Sequence, residues 1–185
     1  GDASEVLAGI VERTTARGGT VIIPSFAVGR AQLLTYYLWK LKNAGRLKSV
    51  PVYLDSPMAI NASAILRHHF GDHRISPDDA KAIGDMVNYV RETEDSKALT
   101  VEKMPKVIIS ASGMATGGRI LHHLKSYAPD PRNSIVIAGF QAPGTPGAAI
   151  LAGTDEIRIH GRNVSIRAEV EEISMLSAHA DSHEI

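Results

Sequence analysis

Apolar positions along the chain fall into two alternating rhythms. Glu5–Ala16 places Val6, Leu7, Ile10 and Val11 at helical spacing, and Gly18-Gly19 stops it. Thr20–Pro24 is an apolar run too short for a helix and suited to a buried parallel strand. A second helix is predicted over Ala31–Asn43, with Leu33, Leu34, Tyr37, Leu38 and Leu41 facing inward and Gly45 closing it. Pro51–Leu54 reads as the next strand. Ser56 can cap a helix that has Pro57 at its first position and runs through Ile60, Ile65 and Leu66. Ser76–Asp79 starts a helix that Gly84 interrupts, and Val87–Arg91 reads as a short strand rather than that helix's tail. Thr93–Leu99 is a short helix capped by Thr93. Val107–Ile109 is a strand, Ile120, Leu121 and Leu124 mark a helix, and Ser134–Ala138 is another buried strand. A short helix begins at Ala148. Glu156–His160 and Val164–Ile173 alternate with period two, as a hairpin around Gly161–Asn163.

Strands separated by helices imply βαβ units, a parallel sheet and helices on both faces. Ligands of such sheets bind beyond the carboxyl ends of the strands. Four loops belong there: Ser25–Arg30, Asp55–Pro57, Ser110–Arg119 and Gly139–Gly147, all rich in hydroxyls, glycine or charge. The terminal hairpin does not fit the parallel pattern and is expected to leave the sheet toward another body.

The stretch Lys106–Leu124 concentrates this chemistry. Its strand runs into a Gly-rich turn at a helix start, where freed amides and the positive helix end favour an anion. Ser110, Ser112 and Thr116 add hydroxyls, and Arg119 adds a fork-shaped cation suited to phosphate. A plain βα turn is the alternative, since glycines serve turns equally well.

Composition narrows the classes. The 185 residues are 44% hydrophobic and 22% charged, which suits one globular domain. Twenty basic and twenty acidic side chains balance, so no global pull toward nucleic acid exists, although a local basic cleft is compatible with that balance. The absence of cysteine excludes disulfides and thiolate chemistry. No apolar run approaches membrane-span length, and a cytoplasmic protein without a membrane partner is the expectation. The chain opens without methionine and stops at Ile185 in what reads as a first helical turn, so a piece of a longer protein is expected.

Of eight histidines, His68, His69 and His73 lie around a helix end, where neighbouring positions point to different faces and a solvated end outweighs a metal site. His122 and His123 follow the Gly-rich loop, and one of them is expected to be buried. His179 stands apart in Leu176–Asp181 (LSAHAD), where an imidazole among small residues suits proton donation or a phosphate grip. A Ser-His-Asp triad cannot form locally from residues two apart. A helix start capped by Ser177 is the competing reading.

Taken in order, IPSFAVGRAQ, YLDSPMA, ASGMATGGR, PDPRNSIVIAGFQAPGTPG and IRAEVEEISMLSAHAD resemble the β-CASP domain of metallo-β-lactamase-fold nucleases. These are RNA-processing enzymes of bacteria and archaea, with the endonuclease subunit of the pre-mRNA cleavage and polyadenylation factor as a cousin. The resemblance covers nearly the whole chain. It implies an α/β, Rossmann/flavodoxin-like three-layer domain over residues 1–154. Residues 155–185 would then return, by way of the hairpin, to a metallo-β-lactamase domain outside this sequence.

The resemblance further implies a zinc-dependent ribonuclease in which this domain is a lid over the metal-bearing one, with RNA between them. His179 matches the family's second motif and would hold the scissile phosphate and assist the leaving group. Ser177, Ser112, Gly113, Thr116, Gly117, Arg119 and Arg30 are the expected substrate contacts. Two zinc ions belong to the full-length enzyme. None is expected here, because no His-x-His-x-Asp-His motif occurs in the chain. The first, acidic motif would precede Gly1 and the third-motif histidine would follow Ile185. Asp55 is acidic but belongs to a different strand end than the family's acidic motif. The isolated chain is therefore expected to bind without cutting. Partners are RNA, the metallo-β-lactamase domain of the same chain and, further, a second copy. The alternatives are an inactive RNA-binding scaffold, a DNA-directed nuclease of the same superfamily, or, without the resemblance, a mononucleotide-binding domain.

Overall fold

The computed structural model describes residues 2–47, 49–69 and 75–174. In chain order the elements are α1 (Ala3–Ala16), β1 (Val21–Pro24), α2 (Arg30–Asn43), β2 (Val52–Asp55), α3 (Pro57–His68), α4 (Pro77–Met86), β3 (Val87–Tyr89) and α5 (Thr93–Val101). They continue with β4 (Val107–Ser110), α6 (Ile120–Tyr127), β5 (Ser134–Ile137), α7 (Pro146–Leu151), β6 (Glu156–Ile159), β7 (Arg162–Ser165) and β8 (Glu169–Glu172).

Six strands form one parallel sheet in the order β3-β2-β4-β1-β5-β8. The central strands β1, β4 and β5 are buried along their whole length, which explains their unbroken apolar character. Alternate residues serve opposite faces. Val21, Ile23, Val107 and Ile109 pack with α1, α2 and α3, whereas Ile22, Ile108, Ile135 and Ile137 pack with α5, α6, α7 and the β6–β7 hairpin.

This sidedness creates a crevice. Strand β4 lies between β2 and β1. The helices that follow β1 and β2 pack on the first face, while α6, which follows β4, packs on the second. Neighbouring strands thus send their chains apart at their carboxyl ends, the geometry of a topological switch point.

Local chemistry sets the element ends. Ser56 Oγ accepts from the Ala59 amide at 3.2 Å, Ser76 Oγ from the Asp79 amide at 3.1 Å and Thr145 Oγ1 from the Ala148 amide at 3.2 Å, each ahead of a proline in the first turn. Gly84 does not interrupt α4, which continues to Met86 and hands directly to β3. Thr93 is the first helical residue of α5 rather than its cap; Glu92 holds the cap position without a side-chain bond. Ile65, one of the apolar residues along α3, is 62% exposed.

The terminal expectation needs the largest correction. Residues 156–165 do form an antiparallel hairpin, but Val164–Ile173 is not a single arm. The Arg167 and Ala168 amides both donate to Ala128 O at 2.9 Å, which breaks the strand after Ser165. Strand β8 then joins the main sheet parallel to β5. Arg13 and Arg17 of α1 clamp it through Glu169 (both 2.7 Å) and, from Arg13, Glu171 (2.8 Å). Those partners hold the Glu169 carboxyl far below its usual range, Arg13 first among them. No helix among the described residues is long and apolar enough to cross a membrane.

Candidate functional site

All four loops named from the sequence meet at the carboxyl edge. The loop after β1 starts α2 with Gly29 at φ +81°, whose amide donates to Gln32 Oε1 at 2.6 Å. Arg30 follows at 5% exposure. Its Nη1 donates to Ala138 O, beyond the end of β5, and its Nε is buried without a partner. Arg30 has no carboxylate partner among the described residues, and burial lowers its pKa. An unpaired buried guanidinium at a ligand edge is costly, and an incoming anion would offset that cost.

The loop after β4 is closed by Ser112. Its Oγ accepts from the Thr116 amide (3.0 Å) and the Gly117 amide (3.3 Å), and its own amide donates to Gly117 O at 3.2 Å. Gly118 sits at φ +81°, where a Cβ would lie 2.6 Å from Ala111 O. Gly113 faces Phe26, whose ring would come within 2.8 Å of a Cβ there. The amides of Gly118 and Arg119, at the threshold of α6, have no acceptor among the described residues.

Arg119 turns away from this loop. Its Nη1 donates to Asp55 Oδ1 (2.9 Å) and Val90 O (3.0 Å), and its Nη2 donates to Arg91 O (2.6 Å). Asp55, fully buried at the end of β2, also accepts from Ser96 Oγ (2.5 Å) and His123 Nε2 (2.6 Å) through Oδ2. Its backbone carbonyl accepts from Ser110 Oγ at 2.8 Å. Burial alone would raise the Asp55 carboxyl; hydrogen bonds and charge from His123, Ser96 and Arg119 reverse this and lower it. The network joins β2, α5, β4 and α6 beneath the crevice.

The loop after β5 knits the other two together. Gln141 Nε2 donates to Gly113 O (3.0 Å), Phe140 O (3.1 Å) and Gly139 O (3.2 Å), and the Gly147 amide donates to Met114 O at 2.9 Å. A Cβ on Gly147 would lie 1.7 Å from Gln141 Oε1, so a side chain there would have to displace the Gln141 amide.

Ser112, Gly113, Thr116 and Gly117 thus form one wall, Arg30 lies beyond Phe26 on the β5 side, and Arg119 anchors the β2 side. His179 and Ser177 lie outside the described residues, as does His73. His68 and His69 are exposed at the end of α3, whereas His123 is the buried member of its pair. Among the described residues no three His, Asp or Glu side chains lie together in a metal-binding group. Asp55 and His123 are sealed from solvent and bound to each other, so they fit neither a dinuclear metal site nor proton transfer to a substrate. Sequence reading set Asp55 aside and expected one of His122 and His123 to be buried, as His123 is, but assigned no role to Ser96 or Gln141. The one available signal was a carboxylate at a strand end, in YLDSP.

The Beta-Casp domain family matches residues 31–150. This chain belongs to the β-CASP family. It is 39% identical over 189 residues to Ribonuclease TTHA0252 of Thermus thermophilus, covering 95% of this chain and 42% of that protein. It is 34% identical to the Transcription termination factor FttA of Methanosarcina mazei, over all of this chain and 31% of that protein. Identity to the RNase J-like protein of Methanocaldococcus jannaschii is also 34%, over 92% of this chain and 40% of that protein. The chain therefore spans between 31% and 42% of the length of these β-CASP relatives. Two of these relatives bear ribonuclease names.

Proposed function

We propose that this β-CASP chain is the substrate-binding portion of a zinc-dependent ribonuclease. Its carboxyl sheet edge would form one wall of a cleft completed by a metallo-β-lactamase domain, to which the chain would return after β8. Zinc would belong to the other domain; the residues described here offer it no ligand set. In this reading the chain's own work is to hold RNA. The observation that carries it is Arg30, a buried cation at the switch-point crevice with no carboxylate partner and an unpaired Nε. Phosphate is the group that pairs with such a fork. The unpaired Gly118 and Arg119 amides support an anion on the opposite side of Phe26. Ser112, Gly113, Thr116 and Gly117 shape that wall, Arg119 positions it through Asp55, and Ser177 and His179 would hold the scissile phosphate and serve the leaving oxygen. The same reading places the enzyme in the cytoplasm, with the isolated chain binding RNA without cutting it.

The test uses the full-length protein and a short single-stranded RNA. Arg30→Gln should weaken binding about tenfold and flatten the dependence of log affinity on log salt by about 0.7, the share of one phosphate on a single strand. His179→Ala should lower cleavage by about 100-fold or more while the melting temperature stays near wild type. Unchanged affinity and salt slope in Arg30→Gln would remove phosphate binding from this edge.

A further inference from the structure

Two exposed histidines from different elements meet on the second face of the sheet. His122 lies in the first turn of α6, and His160 opens the turn of the β6–β7 hairpin. Their ring centres are 5.0 Å apart and the ring planes are tilted by 41°. Among the described residues no hydrogen bond occupies either ring, in contrast to His123, whose Nε2 is committed to Asp55. The two elements are fixed relative to each other by a shared core, in which Ile120 and Leu124 of α6 are buried in one cluster with Ile157 and Ile159 of the hairpin. The turn carries a second observation. His160 and Gly161 have φ of +49° and +75° between the paired Ile159 and Arg162, a two-residue turn whose first position is easier for Asn or Gly. An imidazole is thus held beside another one at a position where the backbone favours a different residue.

We propose that His122 and His160 together bind a divalent late-transition-metal ion, of the class of Cu2+, Ni2+ and Zn2+. Neutral imidazole is the side-chain ligand these ions share. An ion about 2.0 Å from one nitrogen of each ring lies about 3.2 Å from each ring centre. Two centres 5.0 Å apart then subtend about 100° at the ion, close to the tetrahedral angle. The ring torsion of histidine is soft, so each ring can turn a nitrogen toward the shared ion without backbone movement. No third His, Asp or Glu joins the pair among the described residues, so water keeps the remaining positions and the ion exchanges freely. The bound ion clamps the hairpin to the first turn of α6. An anion is the competing ligand, because Lys97 and Lys125 act on His122 electrostatically. Lys97 is already paired with Glu94 at 3.0 Å, and two neutral imidazoles offer an anion no charge, which disfavours it.

The experiment titrates the full-length protein, as purified, with Cu2+ at neutral pH by calorimetry and follows the bound ion by electron paramagnetic resonance. Wild type should take up an ion whose spectrum shows two coordinated nitrogens, and its melting temperature should rise with Cu2+. His122→Ala and His160→Asn should each lower that affinity by about 100-fold, the upper end of what loss of even an outer-shell partner costs, and neither should keep the two-nitrogen spectrum. Ni2+ and Zn2+ should occupy the same site more weakly, and Mg2+ should not bind there. A variant carrying both His68→Gln and His69→Gln should bind like wild type. A wild type that takes up no Cu2+ would overturn the site outright. Binding unchanged in either single variant, or lost instead with His68 and His69, would overturn it equally. Inorganic phosphate that binds in a His122-dependent way, in place of Cu2+, would assign the cluster to an anion and also overturn it. Both single replacements should fold, because His122 is exposed and Asn suits the turn better than histidine. Melting temperatures equal to wild type without metal check this.

Discussion

Asp55 gathers three side chains from distant parts of the chain around one carboxylate. Arg119 and His123 are 64 and 68 residues away in sequence, yet both donate to it within 2.9 Å. Removing one member of such a group leaves the others buried and unpaired, a loss of about 3–5 kcal/mol. Asp55→Ala should therefore be severely destabilised in urea unfolding, against a typical total of about 5–15 kcal/mol. Its acid dependence has a definite sign. The folded carboxyl lies below the ordinary value of 3.8, so the unfolded chain takes up the proton first. The Asp55 contribution is then complete above that value and fades as pH falls through the lower folded one. The stability gap between wild type and Asp55→Ala should be constant from pH 7 to about 5 and shrink in stronger acid. A gap that widened in acid would contradict the assignment. None of this network was legible in sequence, because its members share no spacing, and Asp55 alone is indistinguishable from a helix-capping carboxylate.

At the level of elements, the β4–α6 turn separates glycines needed for the fold from glycines available for function. Gly118 combines φ +81° with Ala111 O at 2.6 Å from a would-be Cβ, while Gly117 has nothing within 4 Å of one. Gly118→Ala should cost about 1–3 kcal/mol, and Gly117→Ala about 0.5 kcal/mol or less, in urea unfolding. If the RNA backbone approaches this wall closely, Gly117→Ala should nonetheless weaken RNA binding in the full-length protein; unchanged binding would leave Gly117 a simple turn residue. The strand–turn–helix order was readable from VIIS, then the glycines, then Ile120 and Leu124, because fully buried parallel strands write themselves as continuous apolar runs. The internal bonding of Ser112 was not readable. A hydroxyl beside glycines looks the same whether it faces a phosphate or its own loop.

For the molecule as a whole, the boundary expected at residue 154 and the architecture pull in different directions. Strand β8 has one apolar residue in EVEE, so its sequence reads as solvent-facing, and its partners in α1 lie more than 150 residues away. Pairing with β5 and the clamp from Arg13 and Arg17 place it in the sheet despite that composition. The hairpin before it supplies Ile157, Ile159 and Val164 to the second-face core, and Ile173 after it reaches the first. Burying four such aliphatic side chains is worth about 6–12 kcal/mol, comparable with the entire stability of a domain this size. A chain ending at Thr154 should therefore lack a cooperative thermal transition and expose apolar surface to a hydrophobic dye, whereas one ending at Ser174 should melt as a single unit. Cooperative folding of the shorter chain would make residues 155–174 an appendage of the neighbouring domain. Its failure would make them part of this one, with the crossing between the two domains displaced beyond the last strand of the sheet.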